Sequence, residues 1–167
     1  MNEFSSISFQ SAAAIKSYQN ERLKDLIAYL ALNSPYYKKL FGEHGINLTS
    51  IQSIEDLVKI PTTEKEDLQQ FNSDFLCVSR NKIIEYTATS GTVSSPVTIA
   101  LTENDLKRLA YNEYCSFVCA HGSPLDVYQL MLTLDRQFMA GMAYYSGIRK
   151  LGAGVVRVGP GVPSLQW

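Results

Sequence analysis

The sequence predicts an α/β fold in which an N-terminal helical segment precedes a strand-loop-strand unit and then a right-handed strand-helix-strand crossover. Three observations carry this. Apolar residues recur at helical spacing through the first part of the chain. The period shifts to two on both sides of a loop of small residues, "TATSGTVSSPV". Two short apolar runs, "VYQLMLTL" and "VVRVG", then flank a helical stretch. The division follows that order: residues 1–75 are mainly helical, and residues 76–167 form an α/β part.

From about residue 12 to 32, Ile15, Tyr18, Leu23, Leu26, Ile27 and Leu30 mark one amphipathic helix that "NSP" stops. Ser34 and Pro35 then read as cap and first helical position, with Tyr36, Tyr37, Leu40 and Phe41 facing inward until Gly45 ends the run. "SIEDLVKIP" and "TEKEDL" predict two short helices, each opened by a capping box, Ser53 with Asp56 and Thr63 with Glu66. Pro61 separates them. Ile84, Tyr86 and Ala88 alternate before the loop, and Val97, Ile99 and Leu101 after it, as two strands would. Thr102 caps the next helix with Asp105 three residues on, and Leu106, Leu109, Ala110, Tyr114, Phe117 and Val118 form its apolar stripe. "VYQLMLTL" is suited to a strand buried on both faces. With residues 138–150 as a helix and "VVRVG" as the next strand, the unit is a parallel crossover.

Composition excludes several classes. The 167 residues are 46% hydrophobic and 19% charged, enough for one buried core or part of a larger domain. Fifteen basic residues against sixteen acidic ones leave a net charge of -1, so no overall field draws nucleic acid or an anionic membrane. No apolar run reaches the ~20 residues of a membrane span, and "MNEFSSISFQ" lacks the basic start and apolar centre of a signal peptide. A cytoplasmic location is therefore expected, and three cysteines fit reduced thiols better than a disulfide framework.

Cys115 and Cys119 stand four apart with His121 beyond, a spacing open to metal binding, but their place beside the apolar stripe reads more simply as buried packing. His44 reads as a charge partner at a helix end. No metal site is assigned. The small-residue loop admits two readings, an ordinary hairpin connection or a phosphate cradle built from glycine-turned backbone amides and hydroxyl donors. It is not a P-loop, because the glycine pair followed by Lys and Ser/Thr is absent.

"TATSGTVSSPV" resembles the Ser/Thr/Gly-rich phosphate loop of adenylate-forming enzymes, Ser-Ser-Gly-Thr-Thr-Gly-x-Pro. "NSPYYKKLF", "IEDLVKIPTTEKEDL" and "FMAGMAYYSGIRKLGAGVV" are similar, in order and separation, to phenylacetate-CoA ligases and their relatives, over roughly residues 31–166. The resemblance implies a partial large domain of the adenylate-forming fold. It implies a ligase that activates a carboxylic acid with ATP and Mg2+ as an acyl adenylate and passes the acyl group to coenzyme A. Thr89, Ser90, Gly91, Thr92 and Pro96 match the loop, whose phosphate-binding residues would be Thr89, Ser90, Gly91, Thr92, Ser94 and Ser95. Val93 and Ser94 depart from it, removing a hydroxyl donor and a glycine, and no lysine follows Pro96. Phe138, Met139, Ala140 and Gly141 would open a helix lining the pocket of an aromatic or apolar acid, with Tyr144 and Tyr145 one turn on as pocket wall or core.

The resemblance also implies that the metal-binding glutamate, the ribose-binding aspartate and the catalytic lysine lie beyond Trp167. The chain then reads as an N-terminal piece, a natural truncation or a fragment, inactive by itself and prone to self-associate through an open sheet edge. Two other functions stay open: an adenylating enzyme whose acyl acceptor is a protein, and a non-catalytic module that keeps the fold for binding or assembly.

Overall fold

A computed structural model describes residues 6–89 and 95–161, and the chain divides into two compact units, Met1–Ser79 and Arg80–Trp167.

The first unit is helical. Helix α1 (Ala12–Asn33) starts where Ser11 accepts from the Ala14 N–H, and α2 (Pro35–Glu43) starts where Ser34 accepts from the Tyr37 N–H at 3.3 Å. Ser34 is buried because its hydroxyl also donates to the Asp74 carbonyl at 3.0 Å, tying the helix start to the end of the unit. Leu23, Ile27, Phe41 and Ile51 form the core, with Leu30, Tyr37, Ile46 and Ile60 packed against it. The Tyr36 ring stacks on Phe75 at 4.0 Å.

Two details differ from the sequence expectation. Ile54–Lys59 is a 3-10 helix, short because Ile60 stands before Pro61 and takes the extended backbone (φ -101, ψ 128) that a following proline favours. The second capping box uses Glu64 and Asp67 at the start of α3 (Lys65–Gln70), one residue later than Thr63 and Glu66. Thr63 is otherwise engaged, its hydroxyl 3.2 Å from that of Tyr37.

The Ser53–Asp56 box is present, and Asp56 gathers several donors around its carboxylate. Asp56 receives the Lys59 ammonium at 2.6 Å, the Gln52 and Ser53 N–H groups at 3.0 and 2.9 Å, and the Ser53 hydroxyl. These contacts, Lys59 first, hold its carboxyl well below the usual aspartate range. A carboxyl whose folded pKa is depressed contributes stability that is present above its unfolded pKa and lost as pH falls toward the folded value. Asp56→Asn is therefore expected to flatten the decline in thermal midpoint below about pH 4, and an unchanged acid limb would refute the assignment.

The second unit holds two small sheets and two helices. Strands β1 (Ile83–Ala88) and β2 (Thr98–Thr102) are antiparallel, with a register shift between Ile83 and Glu85. Thr102 and Asp105 make the predicted reciprocal cap of α4 (Glu103–Cys119). Strands β3 (Val127–Leu130) and β4 (Gly154–Arg157) pair in parallel around α5 (Met139–Leu151), which ends on Gly152 at φ 83. Helix α4 lies against α5 at Gly147, and the Phe117 ring reaches Tyr128 at 4.8 Å.

Here too there are corrections. The strand expected through "VYQLMLTL" stops at Leu130, whose carbonyl accepts from both Val158 and Gly159 N–H groups at 3.2 Å, and the chain then turns. Val127 and Met131 are exposed, so this strand is not buried on both faces among the described residues. Cys119, expected inside, is exposed, while Cys115 is half-buried. Among the described residues no group of three or more His, Cys, Asp or Glu side chains could hold a metal ion, and no helix is long and apolar enough to cross a membrane.

Candidate functional site

The geometry of interest grows from the end of β1. Ala88 pairs with Thr98, the first residue of β2, and the connection between them is closed at its neck by two bonds. The Thr89 N–H donates to the Val97 carbonyl and the Val97 N–H donates to the Thr89 hydroxyl, both at 3.0 Å. Thr89 accepts through its oxygen there, a bond that does not use its hydroxyl proton. Residues 90–94, and with them Ser90, Gly91, Thr92 and Ser94, lie outside the described residues; Ser95 and Pro96 are exposed.

A second segment meets this neck. The Ala88 N–H donates to the Gln137 carbonyl at 3.0 Å, and Ala88 forms a parallel bridge with Phe138. The turn before Phe138 carries Arg136 and Gln137 in succession at φ 55 and 58. The left-handed region is uncommon for residues other than glycine, and two in a row are held only where surrounding bonds over-determine the backbone. Here those bonds are the Ala88–Gln137 contact and the Phe138 N–H to the Asp135 carbonyl at 3.1 Å.

Two clefts result. The first, about 590 Å³, is lined by Ala88, Thr89, Pro96, Thr98, Thr133, Arg136, Gln137 and Phe138. The second, about 260 Å³, lies between Glu85, Tyr86 and Thr87 of β1 and Leu134, Gln137, Phe138, Met142 and Tyr145. Phe138 and Gln137 border both. Tyr145 is faced by the guanidinium groups of Arg157 and Arg149, 5.4 and 5.8 Å from its ring centroid, which fix the ring by cation–π attraction.

No family model matches the sequence. Over 157 residues it is 32% identical to a phenylacetate-coenzyme A ligase of Thermus thermophilus, covering 91% of this chain and 34% of that protein. The Escherichia coli phenylacetate-coenzyme A ligase is 28% identical over 157 residues, covering 93% of this chain and 36% of its own length. The chain is homologous to the phenylacetate-coenzyme A ligases over about a third of their length. Its fold agrees with that of 2-hydroxyisobutyryl-CoA ligase, solved in an open conformation with 2-HIB-AMP and CoA, at TM-score 0.84 and 21% identity, over 93% of this chain and 37% of that one. The mixed α/β arrangement is thus a segment of the CoA ligase fold.

Among the residues that the phenylacetate-coenzyme A ligase resemblance singles out, Thr89 and Phe138 line the first cleft, and Phe138 and Tyr145 the second. Gly141 is buried behind the cleft, against the Thr133 carbonyl, and Ala140 and Met139 are half-buried beside it. Tyr144 faces the other way, its ring 6.3 Å from Phe117 of α4. Met142 is a cleft residue that the motif reading missed. Its signal was helical spacing, four residues after Phe138 and three before Tyr145. Arg136 and Gln137 carry no such signal, because their position follows from backbone conformation.

Thr87 was also missed. It is 2% exposed, and its hydroxyl has no hydrogen-bond partner among the described residues. A buried hydroxyl without a partner retains its desolvation cost, so the isosteric Thr87→Val is expected to stabilise the second unit by about 1 kcal/mol. Chemical denaturation of the two proteins measures this, and a loss of stability would show that the hydroxyl is satisfied.

Proposed function

We propose that this chain contributes the phosphate loop and one wall of the acid pocket to an ATP-dependent acid–CoA ligase. The observation that carries the reading is the first cleft, where the neck of the loop, Thr89 and Pro96, faces the start of the helix that opens at Phe138. A nucleotide held there by its phosphates would place its α-phosphorus toward Phe138, and the second cleft would take the organic part of the acid. In the reaction the acid's carboxylate oxygen attacks the α-phosphorus, the bond to the β-phosphate oxygen breaks, and pyrophosphate leaves. The coenzyme A sulfur then attacks the acyl carbon and AMP departs.

In this reading the Thr89 hydroxyl and the donors of residues 90–95 bond phosphate oxygens as charge moves onto pyrophosphate, which is electrostatic stabilisation by fixed donors. Mg2+ enters as the ion that accompanies the ATP phosphates. Leu134, Phe138, Met142 and Tyr145 give the second cleft an apolar side, opposite the polar groups of Glu85, Thr87 and Gln137, and that side suits the organic part of an aryl or medium-length aliphatic acid. The relatives' names support the acid–CoA class, and the solved complexes with an acyl-AMP and CoA support the order of the two steps.

The test is amide chemical-shift mapping of the 167-residue chain with ATP, and separately with a non-hydrolysable aryl-acyl adenylate mimic. Perturbations are expected at Thr89, Ser95, Thr98 and Phe138 with ATP, extending to Met142 and Tyr145 with the mimic. Shifts confined to the first unit would overturn the reading, as would a response to the mimic that stops short of the second cleft.

A further inference from the structure

We propose that Arg136 is an anion-binding residue of the first cleft, where its guanidinium meets the polyphosphate tail of the bound nucleotide; the nucleotide part of this rests on the ligase reading above. Arg136 is the one charged side chain among the described residues that line this cleft, the other polar groups being the hydroxyls of Thr89, Thr98 and Thr133 and the amide of Gln137. Neutral donors alone offset little of the charge of a polyphosphate, whereas a guanidinium adds five donors and a full positive charge in a geometry that matches phosphate oxygens.

The side chain is available for such a role. Arg136 is exposed, and among the described residues no carboxylate pairs with it. The nearest candidate in sequence, Asp135, is instead bonded to the Thr133 hydroxyl. Its backbone is held open as well. Arg136 at φ 55 occupies a conformation that glycine takes without cost, and the strain falls at the one turn that carries this cation to the cleft. The Gln137 carbonyl bond from Ala88 fastens that turn to the neck of the loop, so Arg136 and Thr89 border the same space.

Titration of the 167-residue chain with inorganic tripolyphosphate at low ionic strength, followed by calorimetry and amide shifts, tests the site without nucleotide or turnover. Saturable binding is expected that weakens with added salt, as an exposed ion contact must. Arg136→Gln should weaken it by about tenfold or more, ~1.4 kcal/mol, and Arg136→Lys should retain part of the affinity. Arg136→Gly separates charge from backbone: the unit should be at least as stable as the parent, yet bind as poorly as Arg136→Gln. Arg80→Gln, an exposed arginine of the same unit outside the cleft lining, should bind like the parent. Absence of saturable binding by the parent, equal binding by Arg136→Gln, or an equal loss in Arg80→Gln would each overturn the proposal. Were ATP to map to Thr89 and Thr98 while Arg136→Gln left tripolyphosphate affinity intact, the ligase reading would stand and the role of Arg136 would fall. Tripolyphosphate binding that depends on Arg136 without any adenylate response would leave a polyphosphate site and remove the ligase reading.

Discussion

Gly141→Ala is expected to destabilise the second unit by about 2 kcal/mol, although alanine is the better helix former. Gly141 lies inside α5, where helix propensity alone would favour alanine by about 1 kcal/mol. The close approach works the other way. A Cβ at this position would run into the Thr133 carbonyl oxygen, with the carbonyl carbon at 3.1 Å and Leu134 Cδ2 at 3.3 Å. The obstacle is backbone, and that backbone cannot yield easily, since the turn it opens is pinned by the Ala88–Gln137 and Phe138–Asp135 hydrogen bonds. Clash therefore outweighs propensity. Denaturant unfolding gives the free-energy change, and tripolyphosphate affinity should fall with it, because a displaced turn moves Arg136. A variant as stable as the parent would show that the helix and the turn are not in close contact.

Gly147 sets the spacing between α4 and α5, and Gly147→Leu is expected to cost about 3 kcal/mol. A Cβ there would meet Glu113 Cβ, with the Glu113 backbone carbon and Cα at 3.1 and 3.2 Å. Small residues let two helices approach at the point of crossing, and any side chain must push the axes apart. Combining Gly147→Ala with Glu113→Gly removes the first of these contacts and leaves the backbone ones. The double variant should recover part of the Gly147→Ala loss, a coupling that a double-mutant cycle reads directly. Gly42 is the contrast. It also stands inside a helix, but a Cβ added there meets nothing within 4 Å. Gly42→Ala should therefore stabilise by about 0.5–1 kcal/mol, opposite in sign to the same substitution at Gly141. Full additivity in the cycle, or a stability gain in Gly147→Leu, would exclude the close helix contact.

Much of the chain's organisation is legible in its sequence. Ser34 with Pro35, Ser53 with Asp56 and Thr102 with Asp105 each begin a helix where expected. The hairpin across the small-residue loop and the parallel pair around α5 are both present. The loop and the ordered segments around it also point to the acid–CoA ligases, to which the chain is homologous. The candidate site is legible only in part. Phe138 and Tyr145 border a cleft, but Gly141 supports it from behind, and Tyr144 joins the contact with α4.

Sequence alone specifies the features written within a few residues of each other: helix starts, the change of period at β1, and the order of elements. Caps, turns and alternation act over about four residues, so neighbouring side chains suffice to specify them. Which face of β1 turns inward is settled only by tertiary packing. Alternation permits either, and the apolar Ile84 and Tyr86 are 52% and 48% exposed while Thr87 is buried. Packing likewise ends β3 at Leu130, brings Met142 to the cleft, and holds Arg136 and Gln137 in left-handed backbone. Each of these depends on groups brought together from distant parts of the chain, such as the Ala88 N–H on the Gln137 carbonyl. Burial and close approach follow from what packs against a residue, and local pattern does not contain that information.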